Sequence, residues 1–341
     1  LRRALVSALL VSAMLVFGIG VYHAAGYLKA SRPQVQRPTK TAGPLLPGTV
    51  YLVQAGAIYG YQRGRFSQLT SESGWMQPAS DPTGSRLVAV RRQGDVSDLY
   101  LMARNGVVSA QVTHNGSSTA ELNHWAFYPH FSADGSQLFY VYDPKDWYNP
   151  YRVDLSIFAS PVDPASNKSV QWTRPNPYTG GDVSPLPLRG GGLLYTKFSI
   201  DDKSKVHSQI WFQSRPGSVG AALTDVEADC LQPALSPDES MLAMICSNGQ
   251  SLGGQLSVTT FDSATASVGP PAVVARGSLL ASPAFSPDGK SLAYLAPAMP
   301  GGGFQLWTIP GLESTASAPK QITTNLDLDA TSAPVWVGQA L

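Results

Sequence analysis

Charge is scarce in this chain. Only 14% of its 341 residues are Asp, Glu, Lys or Arg, against roughly 25% in ordinary soluble domains. The formal net charge is +1, so there is no electrostatic case for a nucleic-acid partner. Cysteine is almost missing, with Cys230 and Cys246 alone. The five histidines, at 23, 114, 124, 130 and 207, do not fall at zinc-ligand spacing. P-loop and dinucleotide fingerprints are absent, and no Gly-x-Ser-x-Gly elbow offers a hydrolase nucleophile. Neither cofactor nor metal is expected, and no catalytic residue stands out.

What the chain does have is turn chemistry. Glycine and proline number 32 and 27, a balance that favours many short strands and tight turns over long charged helices. Five prolines, Pro78, Pro129, Pro185, Pro233 and Pro283, are each followed nine residues later by leucine: Leu87, Leu138, Leu194, Leu242 and Leu292. Pro334 begins a sixth copy. The intervals between these prolines are 51, 56, 48, 50 and 51 residues. A period near fifty means one supersecondary unit copied in tandem. The fullest copy, Ala281–Leu295, reads as a β-hairpin. Pro287 presets φ at the first corner, Asp288 bonds its own backbone, and Gly289 supplies the φ > 0 residue that closes the turn.

Ahead of the repeats, Ala4–Tyr22 carries no charge, and Arg2 and Arg3 precede it. Nineteen residues at about 1.5 Å each span the roughly 30 Å hydrocarbon core. Residues 1–28 are therefore expected to form a signal-anchor or transmembrane helix, a cleaved signal peptide being the alternative. That expectation implies a single-pass membrane protein with its folded part outside the cytoplasm; cleavage would leave it secreted or periplasmic. Residues 29–48, rich in proline, read as a semi-rigid linker.

From Thr49 on, each unit parses into four strands. Residues 49–53, 57–61 and 65–69 form three strands without a first, and residues 333–337 form one strand without followers. Joining them makes a composite blade and closes the ring, leaving no open array edges. The fold class expected is all-β: a six-bladed β-propeller over residues 49–341, of four-stranded blades, preceded by the N-terminal helix. The Ser286-Pro287-Asp288-Gly289 turn, Ser236-Pro237-Asp238, Asp134-Gly135 and the Pro-to-Leu spacing resemble the TolB-like, WD-repeat-like propellers of the Ser-Pro-Asp-Gly repeat type. The resemblance covers residues 49–337. It implies an extracytoplasmic, mostly non-catalytic binding scaffold for a protein or cell-envelope glycan partner. TolB itself carries an additional N-terminal α/β domain that this sequence does not match.

The candidate site is one face of the disc. Loops between second and third strands share a face with the blade-to-blade connections. On it fall Trp75, Trp125, Tyr128, Trp147, Tyr148, Tyr178, Asp182 and His207, several on loops lengthened by insertion. Exposed aromatics on loops held by a rigid sheet suit recognition; the bland alternative is that they cover blade edges. His130 is set apart because the matching position in the other units is Ala79, Leu186, Ala234, Ala284 or Val335. It is a candidate for the central channel, or else a hydrogen-bonded core histidine. Cys230 and Cys246 lie symmetrically about Asp238, so their sulfurs can face each other as a disulfide; two buried thiols are the alternative. The expected function is a membrane-anchored, non-catalytic binding module. Two alternatives stand beside it: a lyase or lactonase with a metal at the channel mouth, and a structural subunit of a larger membrane assembly.

Overall fold

The computed structural model describes residues 45–338 apart from 147, 150, 151, 167, 250–253 and 313–317. It opens with β1 (Thr49–Gln54), β2 (Ala57–Gln62) and β3 (Arg65–Gln68). Five blades follow in order. The first is β4 (Trp75–Ser80), β5 (Arg86–Gln93), β6 (Val96–Ala103) and β7 (Val108–Gln111). The second is β8 (Ala126–Phe131), β9 (Gln137–Tyr142), β10 (Ser156–Pro161) and β11 (Val170–Gln171). The third is β12 (Val183–Pro187), β13 (Leu193–Ile200), β14 (Val206–Gln213) and β15 (Ala221–Ala222). The fourth is β16 (Cys230–Leu235), β17 (Met241–Cys246), β18 (Gly254–Asp262), β19 (Ser267–Val268) and β20 (Ala272–Gly277). The fifth is β21 (Ala281–Phe285), β22 (Ser291–Pro297), β23 (Phe304–Pro310) and β24 (Lys320–Gln321). Last comes β25 (Val335–Val337), which pairs antiparallel with β1 and completes the sixth blade in the order β25-β1-β2-β3.

Hydrophobic patterning explains why the blades stack as a ring. Middle strands are apolar on both faces, as elements buried on both sides must be. In β5, Leu87 and Ala89 pack toward the sixth blade, and Val88 and Val90 toward the second. The buried core accordingly divides into six clusters, one between each pair of neighbouring blades. Closure is tight where the two ends of the ring meet. A Cβ on Gly48 would lie 2.0 Å from the Val337 carbonyl oxygen, and its φ is +79°, so only glycine fits there. The Trp336 indole N–H donates to the Pro47 carbonyl at 2.7 Å, and Leu46 packs on the neighbouring core. Leu46 to Gly48 therefore belong to the propeller rather than to the linker.

Outer strands are short because a side chain takes over from the ladder. The Ile58, Leu99, Ile157, Ile210 and Leu306 N–H groups on third strands donate to the hydroxyls of Thr70, Thr113, Thr173, Thr224 and Thr323. In four of these blades the residue two before the threonine is Gln68, Gln111, Gln171 or Gln321, and its amide bonds the threonine carbonyl. The fourth blade departs from this. Its outer strand is split, with β19 pairing the end of β18 and β20 pairing its start. Pro270 and Pro271, which cannot donate to a ladder, stand between the two pieces.

The expected N-terminal membrane helix needs correction. Residues 1–44 lie outside the described residues. Among the described residues no helix is long and apolar enough to cross a membrane; two 3-10 turns, Ala120–Leu122 and Val226–Ala228, are the helical elements there. The membrane-anchored, single-pass reading, and a membrane partner through that helix, have no support among the described residues and are not carried further.

Candidate functional site

The six prolines of the repeat line the centre of the ring. In five inner strands the register slips by one residue just before or at the proline, as between Met76 and Ala79 or Phe127 and His130. These are β-bulges, which bend a strand and re-aim its side chains. The residue before each proline, Gln77, Tyr128, Ser184, Gln232 or Ser282, has φ between +49° and +56°. Such a conformation is uncommon for non-glycine residues, and neighbouring blades hold it by hydrogen bonds. The Tyr128 N–H donates to Gln77 Oε1 at 2.8 Å, and the Ser282 N–H to Gln232 Oε1 at 2.8 Å. Gln77 in turn donates its N–H to Ser332 Oγ at 2.8 Å, and Ser282 Oγ donates to the Ala330 carbonyl at 2.9 Å. The loop that leads into the closing strand is thus tied to both neighbouring blades.

Inside this belt lies a cavity of ≈ 660 Å³. All six inner strands contribute to its wall, and its rim is formed by the hairpin turns, including Pro82–Gly84, Ser236–Pro237 and Ser286–Pro287. Its mouth is therefore on the face of the tight turns. At that rim the Arg189 N–H donates to Glu239 Oε1 at 2.9 Å.

One sector of the channel differs from the rest. Tyr128 and His130, two apart on β8, both line the cavity, where the other blades place small or apolar residues after the proline. Both are half-buried in the channel wall. Burial pushes the Tyr128 phenol up, the Asp329 charge adds to this, and a hydrogen bond with Gln77 opposes it. Burial pushes the His130 imidazole down, against the hydrogen bond with Phe131. His130 Nδ1 lies 2.9 Å from the Phe131 carbonyl and must donate to it, so the neutral ring presents Nε2 as an acceptor.

The remaining sequence candidates do not converge. Trp75 is 4% exposed and packs against Tyr100 and Arg91. Trp125 donates its indole N–H to the Asp95 carbonyl and lies under Lys145. Tyr178 is partly exposed, with Arg152 over its ring. Tyr148 is fully exposed, and Trp147 lies outside the described residues. Asp182 is fully buried and paired with Lys197 at 3.2 Å; burial raises its pKa against the pull of that lysine. Cys230 and Cys246 face each other across β16 and β17 and are disulfide-bonded. Of the described site candidates, Tyr128 and His130 alone line the cavity. Gln77, Gln232, Ser282 and the turn-face rim were missed, although the residue before each proline was already marked by the repeat.

Fold and cavity define the class: a six-bladed β-propeller with one channel site opening among its hairpin turns. No protein-family model and no curated protein matches the sequence. Solved structures match the fold. TolB from Acinetobacter baumannii aligns at a TM-score of 0.64 with 16% identity, over 86% of this chain and 67% of that one. Hydrazine synthase from Kuenenia stuttgartiensis aligns at 0.63 with 12% identity, over 88% of this chain and 49% of that one. A gluconolactonase from Xanthomonas campestris aligns at 0.51 with 14% identity, over 86% and 90%. At these identities the likeness is one of fold, the six-bladed β-propeller that TolB also has.

Proposed function

We propose that this chain is a protein-binding or scaffold propeller of the TolB-like, Ser-Pro-Asp-Gly repeat type, non-catalytic, and that its partner docks at the channel mouth on the turn face. The observation that carries this reading is the ≈ 660 Å³ cavity walled by all six inner strands. Ligand sites are concave, largely pre-formed and supplied with a few convergent polar groups. Here those are the Tyr128 phenol, His130 Nε2 and the Arg189–Glu239 pair, set among rigid prolines. The aromatic loops fit less well, because Trp125 and Tyr178 already have cations over their rings. The disulfide supports an oxidising compartment, secreted or periplasmic.

Site-specific photocrosslinking tests the face. A crosslinking amino acid at Thr83, exposed on the cavity rim, and another at Tyr148 on the aromatic loops would be compared in the native host. Partner adducts from position 83 and none from 148 are expected. Adducts from 148 alone would move the site to the opposite face.

A further inference from the structure

His207 lies near the start of β14, the third strand of its blade, and is only 4% exposed. Each ring nitrogen meets acceptors only. Nδ1 is 3.0 Å from Asp229 Oδ1 and 3.2 Å from the Val226 carbonyl. Nε2 is 3.5 Å from Asp201 Oδ2. A neutral imidazole has one N–H. In either tautomer, therefore, one ring lone pair points at a carboxylate with little room for water between them. Only the imidazolium donates in both directions. The two carboxylates belong to different elements: Asp201 starts the turn between β13 and β14, and Asp229 ends the connector from the third blade to the fourth.

We infer that His207 is a pH-sensitive clasp that, when protonated, ties the β13–β14 turn to the connector between the third and fourth blades. The charged groups around it are few. Lys205, on the same turn, lies 3.3 Å from Asp229 Oδ2 and 4.0 Å from Glu227 Oε2, and its charge works against the imidazolium. Burial also works against it, but the hydrogen bond with Asp201 and the charge of Asp229 outweigh both, and the pKa is raised from 6.5. A raised folded value means that the clasp holds fully below the unfolded pKa and is lost as pH rises through the folded one. Above that pH the Lys205–Asp229 ion pair still joins the turn to the connector, so the corner loosens rather than opens, and the disulfide at Cys230 keeps the fourth blade's side of it fixed. This makes the third-blade corner of the connection face stiffer in acid than in base.

An NMR titration of the His207 ring in the full chain tests this, combined with hydrogen-exchange protection of residues 201–208 at pH 6 and pH 9, corrected for intrinsic rates. The ring is expected to titrate above 6.5. Protection is expected to fall at pH 9 by about tenfold for each unit of that elevation. Asp201→Asn, which keeps an oxygen for the turn's own N–H groups, is expected to lower the His207 midpoint and shrink the pH effect. His207→Gln is expected to abolish it. A wild-type midpoint at or below 6.5 overturns the proposal, as does protection indifferent to pH. The wild-type measurements decide the matter even if a variant fails to fold.

Discussion

At the scale of single residues, the recurring turns are held by one carboxylate each. Asp134 accepts from Ser132 Oγ at 2.6 Å, from the Ser136 N–H at 3.0 Å and from Ser136 Oγ at 2.8 Å. Asp238 repeats the arrangement with Ser236 and Ser240, and Asp288 with Ser286 and Lys290. Each bond favours the ionised form. The bond from the preceding serine leads, and the Asp134 and Asp238 carboxyls are pulled down to about 2. An unfolded aspartate titrates near 3.9. The contribution of these turns is therefore present above about pH 4 and is lost as pH falls toward 2. Urea melts at pH 5 and pH 2.5 are expected to show stability falling over that interval, and Asn at 134 and 238 to flatten the fall. A wild-type profile level down to pH 2.5 would mean that the carboxylates add nothing to the fold. These side chains are exposed, so solvent screens their charges and each effect is small.

At the scale of elements, the fourth blade stands apart. Five blades fix their outer edge with the threonine hydroxyl described above; the fourth instead splits its outer strand between β19 and β20. The same blade holds the disulfide, joining the ends of its inner hairpin across a separation of 16 residues. Closing a loop of that size restricts the unfolded chain by roughly 3 kcal/mol. Replacing both cysteines with serine is expected to lower unfolding stability by about 2–4 kcal/mol, read from denaturant midpoints, with the first signs of local opening at the third-to-fourth blade corner. An unchanged midpoint would mean that the hairpin stands without its crosslink. The hairpins themselves were legible in the sequence because everything that makes them is local: a proline, a turn residue and a leucine within ten positions. The opposed register of Cys230 and Cys246 was legible for the same reason. The polar belt was not. Its bonds join residues about 50 apart, and in one case 255 apart, and nothing in a single unit announces what the next one offers. Trp125 and Tyr178 were legible as loop aromatics, and Tyr178 is exposed, but the cation that the fold lays over each ring was not.

At the scale of the whole molecule, the belt and the ring closure depend on the same short stretch, residues 329–337. The loop from Asp329 to Ser332 receives Gln77 from the first blade and Ser282 from the fifth. Asp329 also donates its N–H to the Val53 carbonyl at 2.9 Å, on the sixth blade's own second strand. The chain then runs through β25, whose three residues pair with Thr49, Val50 and Tyr51. Removing residues 331–341 would strip the inner edge of β1, a strand buried over all six residues. It would also leave the Gln77 N–H without its acceptor, uncover Val50, which pairs with Trp336, take Trp336 out of the core between the fifth and sixth blades, and open one wall of the channel. An unpaired, apolar edge of this kind invites association with other chains. Loss of a buried tryptophan alone costs about 3–5 kcal/mol, a large share of the 5–15 kcal/mol that typically holds a domain together. The truncated chain is therefore expected to melt without a cooperative transition, to be cut rapidly by protease and to aggregate. Restoring residues 331–341 as a separate peptide is expected to recover part of the protection, because a strand and its belt loop can re-enter an edge already shaped for them. A truncated protein that melts cooperatively at the wild-type temperature would mean that the ring is held by its six inter-blade cores and that the closing strand is incidental.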